Sequence, residues 1–506
     1  MTGNGPTTGI LLGVDVGTSD SKVLATTESG SEIGSVSTPT NWRHHEGRLT
    51  DVDPDELAAG VMALLAQAVE MVTSRIGPVS VCAIAITGMA EAGVLLDKGG
   101  RAAHPIIAWF DPRGGAEMLA LPADLLTEFR GRTGLPVSAL ATIAKLAWMT
   151  SGGTELAGKQ WLSVPEYLVH RLGGDRAAEM SLIARTGLLD QDSEDLWPAA
   201  LTALGATADL VPPRVVAGTP LGRAGGDAVP GVLHGAVLTV AGHDHPVAAV
   251  GCGVTGTDEI FDSFGTAEAL VRSVPGRLDA AARERLAVGG VNSVHHVLAG
   301  RRLLLGGTKA GLLLRRTLDM LGAAGTQRRA ELDEGTCALA GANWRPEAVA
   351  TEGIRVCGAA NNDGTLRVEV TSDDVTPAAI WLAALDNGIT EANRCLDLMA
   401  SEIGSAASVV VAGGWTRMES VRRSKAASLP AVRFSDRSQA GAFGATMFAA
   451  HAYQVAGRLA AAGDSRGSAV LDPSGPSEEF AARYTAAATA LEQPLAGAPT
   501  LQELTR

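Results

Sequence analysis

The sequence predicts an α/β protein of two or three domains, and three observations lead to this expectation. The chain has 506 residues, more than one hydrophobic core normally serves. Its residues are 46% hydrophobic but only 4% aromatic, with 61 glycines, which suits helices packed closely on sheets. A strand, a Gly-Thr turn and a second strand occur twice, at Gly17-Thr18 and at Gly265-Thr266. This repeat indicates a duplicated domain with two similar hairpins facing each other across a cleft.

The acidic balance of the chain limits the partners that it is expected to bind. The formal net charge is −14, which argues against nucleic acid and against anionic membranes as ligands. A phosphate site must then be built locally, from backbone N–H groups and a metal ion. The five cysteines are scattered without a Cys-x-x-Cys pair, so we expect neither disulfides nor a zinc site, and a cytoplasmic location.

Neither end of the chain is expected to carry a targeting or membrane segment. Residues 1–8 are predicted to be a flexible lead, without the basic and apolar regions of a signal peptide. No apolar run is expected to reach the length of a membrane span, because the closest one, 79–96, contains Thr87, Gly88 and Glu91. Residues 460–506 are rich in Ala, Gly and Ser and are predicted to form a peripheral extension with one helix over 477–491.

The first hairpin, over residues 9–25, is a candidate phosphate and metal site. Its first strand is apolar except for Asp15, and its tip is Gly17-Thr18-Ser19. Such a tip offers N–H groups and hydroxyls to phosphate oxygens, and Asp15 can hold Mg²⁺ through water. The alternative is an ordinary hairpin with an acid at its edge, but an acid within an apolar strand is costly unless it is used.

Polar and aromatic residues next follow the ends of several predicted strands. A helix over 53–72 precedes a buried strand over 79–86, and Glu91 lies in the turn after that strand. Residues 94–97 are expected to pair back as a further strand. A strand over 105–109 leads to Trp109, Asp111 and Arg113. Together with Glu91, these residues suit a polyhydroxylated ligand. Asp111 and Arg113 can equally form a local ion pair.

The middle of the chain predicts a strand-to-helix junction with an exposed acid. An apolar run over 236–240 is followed by His243, Asp244 and His245, and then by Pro246 in the first turn of a helix. A carboxylate at such a junction can take a proton from a substrate hydroxyl. The alternative is that Asp244 is only the N-cap of the helix.

The second half of the chain supplies further glycine-rich turns. The second hairpin, over 258–271, has its tip at Gly265-Thr266. Residues 303–309, which include Gly307, are predicted to be a turn into a helix over 310–321. A strand from Ser408 ends at Gly413-Gly414, where a flat ligand such as a purine could approach, although a plain tight turn explains the pair equally well. The remaining predicted helices span 140–149, 161–172, 380–399 and 439–446, and the last is expected to pack beneath the Gly413-Gly414 loop.

Taken together, these motifs resemble those of the FGGY carbohydrate kinase family over about residues 9–450. The Thr142 to Met149 segment is similar to the family's Lys-apolar-x-Trp signature, and Trp109-x-Asp-x-Arg113 to its strand end. Residues 242–246, Gly-His-Asp-His-Pro, are similar to the element that carries the family's catalytic base. The two hairpins and the double glycine resemble its two phosphate loops and its adenosine loop.

The resemblance implies two RNase H-like domains of the actin-like ATPase fold around a central cleft. It implies an ATP- and Mg²⁺-dependent kinase in which Asp244 is the general base and Asp15 binds the metal. The acceptor would be a small sugar, ketose or polyol held by Glu91, Trp109, Asp111, Arg113 and His245. ATP and its phosphates would contact Gly17, Thr18, Ser19, Gly265, Thr266, Gly307, Gly413 and Gly414.

The domain boundaries implied in this way are 9–250 for the acceptor domain with the first hairpin, and 251–459 for the ATP domain. A homodimer is one candidate assembly. Xylulose kinases have Gln-Met-His where this chain has Met89-Ala90-Glu91, and glycerol kinases have Gln-Arg-Glu, so the acceptor stays open. A regulatory ATP-binding protein of the same fold stays an alternative function. A dinucleotide-dependent oxidoreductase is not favoured, because no strand is followed by Gly-x-Gly-x-x-Gly.

Overall fold

The computed structural model describes residues 7–341, 344, 353–360, 365–461, 476 and 479–482, which form a layered α/β structure. The strands in chain order are β1 (Thr8–Val16), β2 (Asp20–Thr27), β3 (Glu32–Pro39), β4 (Arg43–His44), β5 (Thr50–Val52), β6 (Val79–Gly88), β7 (Gly93–Leu96), β8 (Ile106–Ile107), β9 (Gln160–Ser163), β10 (Ala178–Glu179), β11 (Leu189–Asp190), β12 (Asp195–Leu196), β13 (Arg214–Val215), β14 (Val237–His243), β15 (Glu259–Phe264), β16 (Glu268–Pro275), β17 (Val291–His295), β18 (Arg301–Thr308), β19 (Ile354–Cys357), β20 (Arg367–Val370), β21 (Ser408–Ala412) and β22 (Val432–Phe434).

The helices cover both sheets and connect their strands. In chain order they are α1 (Pro54–Ile76), α2 (Gly115–Leu119), α3 (Ala123–Thr133), α4 (Thr142–Ser151), α5 (Val164–Arg171), α6 (Met180–Ile183), α7 (Pro198–Ala203), α8 (Asp244–Gly251), α9 (Ala280–Val288), α10 (Ala310–Met320), α11 (Thr326–Ala340), α12 (Pro377–Ile403), α13 (Glu419–Ser428) and α14 (Ala440–Ala461).

The first large sheet has the strand order β14-β6-β1-β2-β3. β1 and β2 form the predicted hairpin, and β6 and β14 run parallel to β1. Parallel strands end at the same edge of a sheet, so three polar positions meet there. Asp15 of β1 lies beside Thr87 of β6, and the last residues of β14 lie beside Thr87 and Gly88. This carboxyl edge carries the candidate site.

The second large sheet repeats this plan with the order β17-β18-β16-β15-β21-β22. β15 and β16 form a hairpin, and β21 runs parallel to β15, as β6 does to β1. Helix α12 covers one face through Trp381, Leu382 and Leu385, which are buried. The duplicated α/β plan that the two Gly-Thr tips predicted is therefore confirmed. The exact domain boundaries stay a prediction.

Helix α14 does not lie where the sequence predicted. Instead of packing beneath Gly413-Gly414, it crosses onto the first sheet, where its small residues contact β1, β6 and helix α8. The approach is close enough to exclude side chains at the crossing. A Cβ at Gly444 would lie 2.1 Å from the carbonyl oxygen of Val247, and one at Gly251 would lie 2.2 Å from that of Ala440. The glycines set how closely α14 and α8 approach.

Several predicted local elements differ from those observed. β7 pairs with β9 rather than folding back on β6, so the segment predicted as a helix from Trp161 begins as a strand. Residues 303–309 are not a turn, because the apolar run Leu303-Leu304-Leu305 continues as β18 between β16 and β17. The strand predicted over 105–109 is reduced to β8, which pairs with β5.

Helix α1 is longer than predicted. The expectation that no apolar run reaches the length of a membrane span is wrong for this helix, which by length and composition alone could cross a membrane. Its contacts give another account, because Leu57, Val61, Leu65 and Val69 are buried and the helix packs on β2 and β3. At the other end of the chain, most of the predicted helix 477–491 lies outside the described residues. Within them, Ala481 is buried in the cluster formed by α14 and the first sheet.

The close contact between α14 and α8 predicts that a Gly-to-Ala substitution has opposite effects on stability at two positions of α14. Gly444→Ala should lower the free energy of unfolding by about 2 kcal/mol or more, because a backbone carbonyl cannot move away from the new methyl group. Gly457→Ala, on the same helix with no atom within 4 Å of the new Cβ, should be neutral or raise it by about 0.5–1 kcal/mol. Chemical denaturation of both variants measures this, and equal effects would contradict the crossing.

Candidate active site

Asp15 is partly buried and lies at the carboxyl edge of the first sheet. Its carboxylate lies on α14, since a Cβ at Gly441 would be 2.3 Å from Asp15 Oδ2. Burial and the nearby charge of Asp244 raise the pKa of Asp15 to about 7, against the opposing effect of Lys22. Two carboxyl groups that repel each other in this way form an oxygen donor set that suits a divalent cation such as Mg²⁺.

Asp244 is the first residue of α8, directly after β14. The N-cap position is taken by His243, so the alternative that Asp244 only caps the helix is not what is observed. Asp244 Oδ1 accepts a hydrogen bond from the His245 N–H at 2.7 Å and lies 3.2 Å from His243 Nε2. Burial favours a raised pKa for Asp244, but the two histidines outweigh it and hold the pKa below its ordinary value. Asp244 is therefore a carboxylate at neutral pH.

His243 links this junction to a buried acidic group that the sequence did not suggest. Its N–H donates to Ser181 Oγ at 3.0 Å, and Ser181 Oγ donates to Glu179 at 2.5 Å. Burial raises the pKa of Glu179 to about 7 and that of Glu166 to about 8. His243, Asp244 and His245 also place their ligand atoms within 4.8 Å of one another, a second arrangement able to hold a metal ion.

Glu91 reaches the site through an unexpected partner. Arg185, near the end of the α6 turn, donates from Nε at 2.7 Å and from Nη2 to Glu91 Oε1. Both side chains are nearly buried, with exposures of 9% and 8%. Glu91 also has a backbone φ of 63°, a strained value for a residue with a side chain. No periodicity or motif in the sequence marks Arg185 as a partner of Glu91.

The aromatic residues support the first hairpin tip. Trp109 Nε1 donates to Thr18 Oγ1 at 2.8 Å, and Trp42 Nε1 donates to the Thr18 carbonyl at 2.7 Å. Phe110 lies edge-on to both rings. Trp109 thus contacts the hairpin tip, and its contact with an acceptor stays a prediction. Trp42 was missed because nothing in the local sequence distinguishes it.

Asp111 and Arg113 form the local ion pair that the sequence offered as an alternative. Arg113 binds both carboxylate oxygens of Asp111, at 2.9 and 2.7 Å, and also contacts Asp51 at 3.1 Å. Asp111 further accepts from the Thr50 N–H at 2.5 Å. The two side chains therefore make their hydrogen bonds within the protein, and their contact with an acceptor stays a prediction.

The Lys-x-x-Trp signature has a structural role that its sequence alone does not reveal. Lys145 is buried, and its Nζ donates to the carbonyls of Asp111, Arg113 and Ala139 at 2.6–3.0 Å. Burial lowers the pKa of Lys145 to about 8. Trp148 stacks beneath the Arg113 guanidinium at 5.4 Å. The signature fixes the loop that follows β8.

The second hairpin tip meets the start of a helix and the double glycine. A Cβ at Gly311, in the first turn of α10, would lie 1.9 Å from the Gly265 carbonyl oxygen. One at Gly413, which has a φ of 124°, would lie 2.2 Å from the Phe264 carbonyl oxygen. Trp415 Nε1 donates to the Gly265 carbonyl at 3.0 Å. The structure thus places Gly265 and Thr266 against Gly311, and Gly413 against Phe264. That Gly265, Thr266, Gly413 and Gly414 bind ATP stays a prediction.

A buried charge cluster lies under this tip. Lys425 Nζ donates to Asp262 at 2.7 Å and to Glu268, and it lies over the Phe264 ring. Thr308, which follows the candidate Gly307 in β18, donates to the other Glu268 oxygen at 2.6 Å. Burial raises the pKa of Asp262, and the lysine opposes it. The sequence did not predict this cluster, because Lys425 is 163 residues from Asp262 and 157 residues from Glu268 along the chain.

Comparison with known proteins relates this chain to carbohydrate kinases. Residues 10–251 match the family model described as the FGGY family of carbohydrate kinases, N-terminal domain. The L-fuculokinase of Escherichia coli K12 is 25% identical over 274 residues, which are 52% of this chain and 56% of that protein. The gluconokinase of Bacillus subtilis is 24% identical over 205 residues, 40% of this chain and 39% of that protein. The chain thus spans about half the length of the curated relatives it matches, or less.

Solved structures extend the likeness in fold over nearly the whole chain. The xylulose kinase from Rhodospirillum rubrum has a TM-score of 0.73 at 20% identity and covers 95% of this chain and 98% of its own. The Plasmodium falciparum glycerol kinase with ADP has a TM-score of 0.76 at 15% identity, covering 91% and 94%. Both show the fold, with its two α/β units, and so agree with the fold class predicted from the motifs.

The buried cluster predicts unequal effects for two substitutions on α13. Lys425→Met should lower the free energy of unfolding by about 3–5 kcal/mol, because it leaves Asp262 and Glu268 buried without a cation. Arg423→Met removes the same charge from an exposed pair with Glu419 and should lower the free energy of unfolding much less, because solvent screens an exposed pair. Urea denaturation checks both, and a Lys425→Met variant as stable as Arg423→Met would show that the cluster contributes little.

Proposed function

Because the chain belongs to the FGGY family of carbohydrate kinases, we propose that it transfers the γ-phosphoryl group of ATP to a hydroxyl of a small sugar, ketose or polyol. The observation that carries this proposal is the placement of Asp244. It is an ionised carboxylate at a helix start, and its charge raises the pKa of Asp15 on the neighbouring strand. A base and an acid suited to a metal thus meet at one edge, beside a hairpin tip that can bind phosphate.

Asp244 acts as the general base on the acceptor hydroxyl. Its Oδ1 is held by the His245 N–H and by His243, which leaves Oδ2 to accept the proton as the oxygen attacks phosphorus. The two histidines lower its pKa, so the carboxylate is ready at neutral pH but is a weak base. Its main contribution is therefore to orient the hydroxyl, with the proton moving late in the transfer.

The phosphate groups of ATP lie between the two hairpin tips in this proposal. The backbone N–H groups and hydroxyls of Gly17, Thr18, Ser19, Gly265 and Thr266 donate to the phosphoryl oxygens, and Gly413-Gly414 faces the nucleoside. Gly307 lies in β18 opposite Ala269, behind the second tip, so its contribution is through the strand pairing. Mg²⁺ held near Asp15 would neutralise phosphate charge. It would also offset the repulsion between Asp15 and Asp244, which contributes to the raised pKa of Asp15.

The acceptor is placed next to Asp244 by the polar groups of the first half of the chain. Glu91 and His245 are the nearest candidates, since Glu91 influences the pKa of His245. Trp109 supplies an apolar face beside Thr18. Asp111 and Arg113 shape the loop that carries Trp109, and any direct contact of theirs with the acceptor is secondary. A small molecule, rather than a nucleic acid or a membrane, is the partner that this arrangement suits.

Replacement of the base tests the central step. Asp244→Asn keeps the oxygen that accepts from the His245 N–H but cannot take the proton, so turnover should fall by about 10²- to 10⁴-fold. ATP binding and thermal stability should stay close to wild type. A coupled ADP-release assay over glycerol, pentitols, pentuloses and hexuloses measures turnover, and calorimetry measures ATP binding.

Wild-type turnover in the Asp244→Asn variant would exclude Asp244 as the base. If the wild-type protein binds ATP and transfers phosphate to no acceptor, a regulatory ATP-binding protein of the same fold becomes the better interpretation.

The hydrogen bond from Trp109 predicts which substrate a conservative change affects. Trp109→Phe keeps an aromatic face but loses the N–H that holds the Thr18 hydroxyl, a bond worth about 1 kcal/mol. The KM for ATP should therefore rise several-fold, or kcat fall by the same factor, while the KM for the acceptor changes little. A change confined to the KM for the acceptor would mean that Trp109 contacts the acceptor and does not affect ATP binding.

A further inference from the structure

We propose that the buried pair of Glu91 and Arg185 makes this enzyme selective for a neutral polyhydroxy acceptor over a sugar acid. The inference rests on the proposed function, because it assumes that the acceptor lies beside Asp244. The relatives do not decide the point, since they include both an L-fuculokinase and a gluconokinase.

The pair is asymmetric in its hydrogen bonding. Both donors of Arg185, Nε and Nη2, bind the same oxygen of Glu91, Oε1. The Arg185 Nη1 group is buried and has no hydrogen-bond partner among the described residues. Oε2 of Glu91 has no hydrogen bond of its own in the described part of the chain. A buried guanidinium nitrogen without a partner is unusual and points to a missing ligand or water.

The signature helix holds both partners in place. Thr142, the first residue of α4, donates from its hydroxyl to the Glu91 carbonyl at 3.1 Å. The next residue, Ile143, donates its N–H to the carbonyl of Thr186 at 2.8 Å, directly after Arg185. The strained φ of Glu91 is thus stabilised from the same helix turn that fixes Arg185. Two distant segments are in this way fixed as one unit.

The unit lies close to the proposed base. Gly88, three residues before Glu91, pairs with His243 at the end of β14. Ser181, four residues before Arg185, accepts a hydrogen bond from the His243 N–H at 3.0 Å. Both segments of the pair are thus held against the residue that precedes Asp244. His245 is one-third exposed and Asp244 about one-fifth, whereas the pair behind them is nearly buried. An acceptor whose reacting hydroxyl meets Asp244 therefore extends past His245 toward Glu91 and Arg185.

The charges around this space disfavour an anionic acceptor. Glu91 neutralises Arg185, and Asp244 adds a negative charge, with Asp15 near it. Of the other cations of the region, Arg113 is paired with two carboxylates, Lys145 with three carbonyls, and Lys22 acts on Asp15. A carboxylate on the acceptor would meet net negative charge in a poorly solvated site.

A hydroxyl group suits the same pair well. It can donate to Glu91 Oε2 and accept from Arg185 Nη1, so that one or two neighbouring hydroxyls satisfy both free groups. A hydrogen bond to a charged group contributes about 1.5–3 kcal/mol, which is about 10- to 150-fold in affinity. The pair thus favours a polyol or ketose with a hydroxyl several atoms from the reacting one.

The test compares acceptors that differ only in charge. Xylitol and D-xylonate, and ribitol and D-ribonate, are titrated calorimetrically into the wild-type protein with the ATP analogue AMP-PNP and Mg²⁺, and each is assayed for ADP release. The neutral member of at least one pair should bind about 10-fold or more tighter than its acid. Tighter binding of an acid, or binding of neither class, would overturn the proposal.

Two variants show whether the pair is the cause. Glu91→Gln leaves Arg185 with an unbalanced charge, so the preference for the neutral member should narrow by about 10-fold or invert. Arg185→Lys keeps the charge but loses the fork, so it should weaken the neutral acceptor while preserving the order of preference. Asp192→Asn is the matched control, because it also removes a carboxylate from a buried arginine, Arg283, which does not contact Glu91 or Arg185. An unchanged preference in Glu91→Gln would overturn the assignment.

The outcomes separate the inference from the proposed function. Phosphorylation of an acid in preference to its polyol would leave the kinase proposal intact and overturn only the selectivity. Selective binding of the neutral acceptor without ADP release would support the selectivity and overturn the kinase activity.

Discussion

The close contact between α8 and α14 is the constraint on which the candidate site depends. Gly251 and Gly444 bring two helix backbones together with no side chain between them, and Gly441 lets Asp15 rest on the same helix. The proposed base and the proposed metal ligand are thus both positioned by one helix from the end of the described chain. Because packed interiors resist small displacements, the separation of the two carboxylates is set with little freedom.

The two hairpins differ in how the charge of their acidic residues is compensated. In the second, Lys425 is buried between Asp262 and Glu268, so the protein supplies the compensating cation itself. In the first, no arginine or lysine among the described residues donates a hydrogen bond to Asp15, and the pKa of Asp15 is raised. The two hairpins therefore differ in whether a lysine compensates the acid. This difference supports the proposal that a metal ion binds near the first tip.

Much of the fold could be predicted because its signals are local. The hairpins, helices α1 and α12, and the junction at Asp244 all follow from apolar period, glycine turns and Pro246. The missed partners are non-local. Arg185 is 94 residues from Glu91, and Lys425 is 163 residues from Asp262, so no sequence spacing could join them.

The errors have a related physical cause. Residues 303–309 and the start of the segment from Trp161 are apolar runs whose state depends on which strand lies next to them, and only the tertiary structure supplies that neighbour. Helix α14 is rich in small residues that fit either surface, so composition could not choose between the Gly413-Gly414 loop and the first sheet. The sequence supplied the candidate residues, whose roles stay predictions, but it did not mark the groups that orient them.

The pair of indoles on the first hairpin has a practical consequence. Trp42 donates a hydrogen bond to the Thr18 carbonyl, and Trp109 donates one to the Thr18 hydroxyl. Two fluorophores are thus hydrogen-bonded to the residue that is proposed to contact phosphate. Indole emission responds to the strength of the N–H hydrogen bond and to nearby charge. The chain therefore contains its own optical reporter for events at the tip, without any added label.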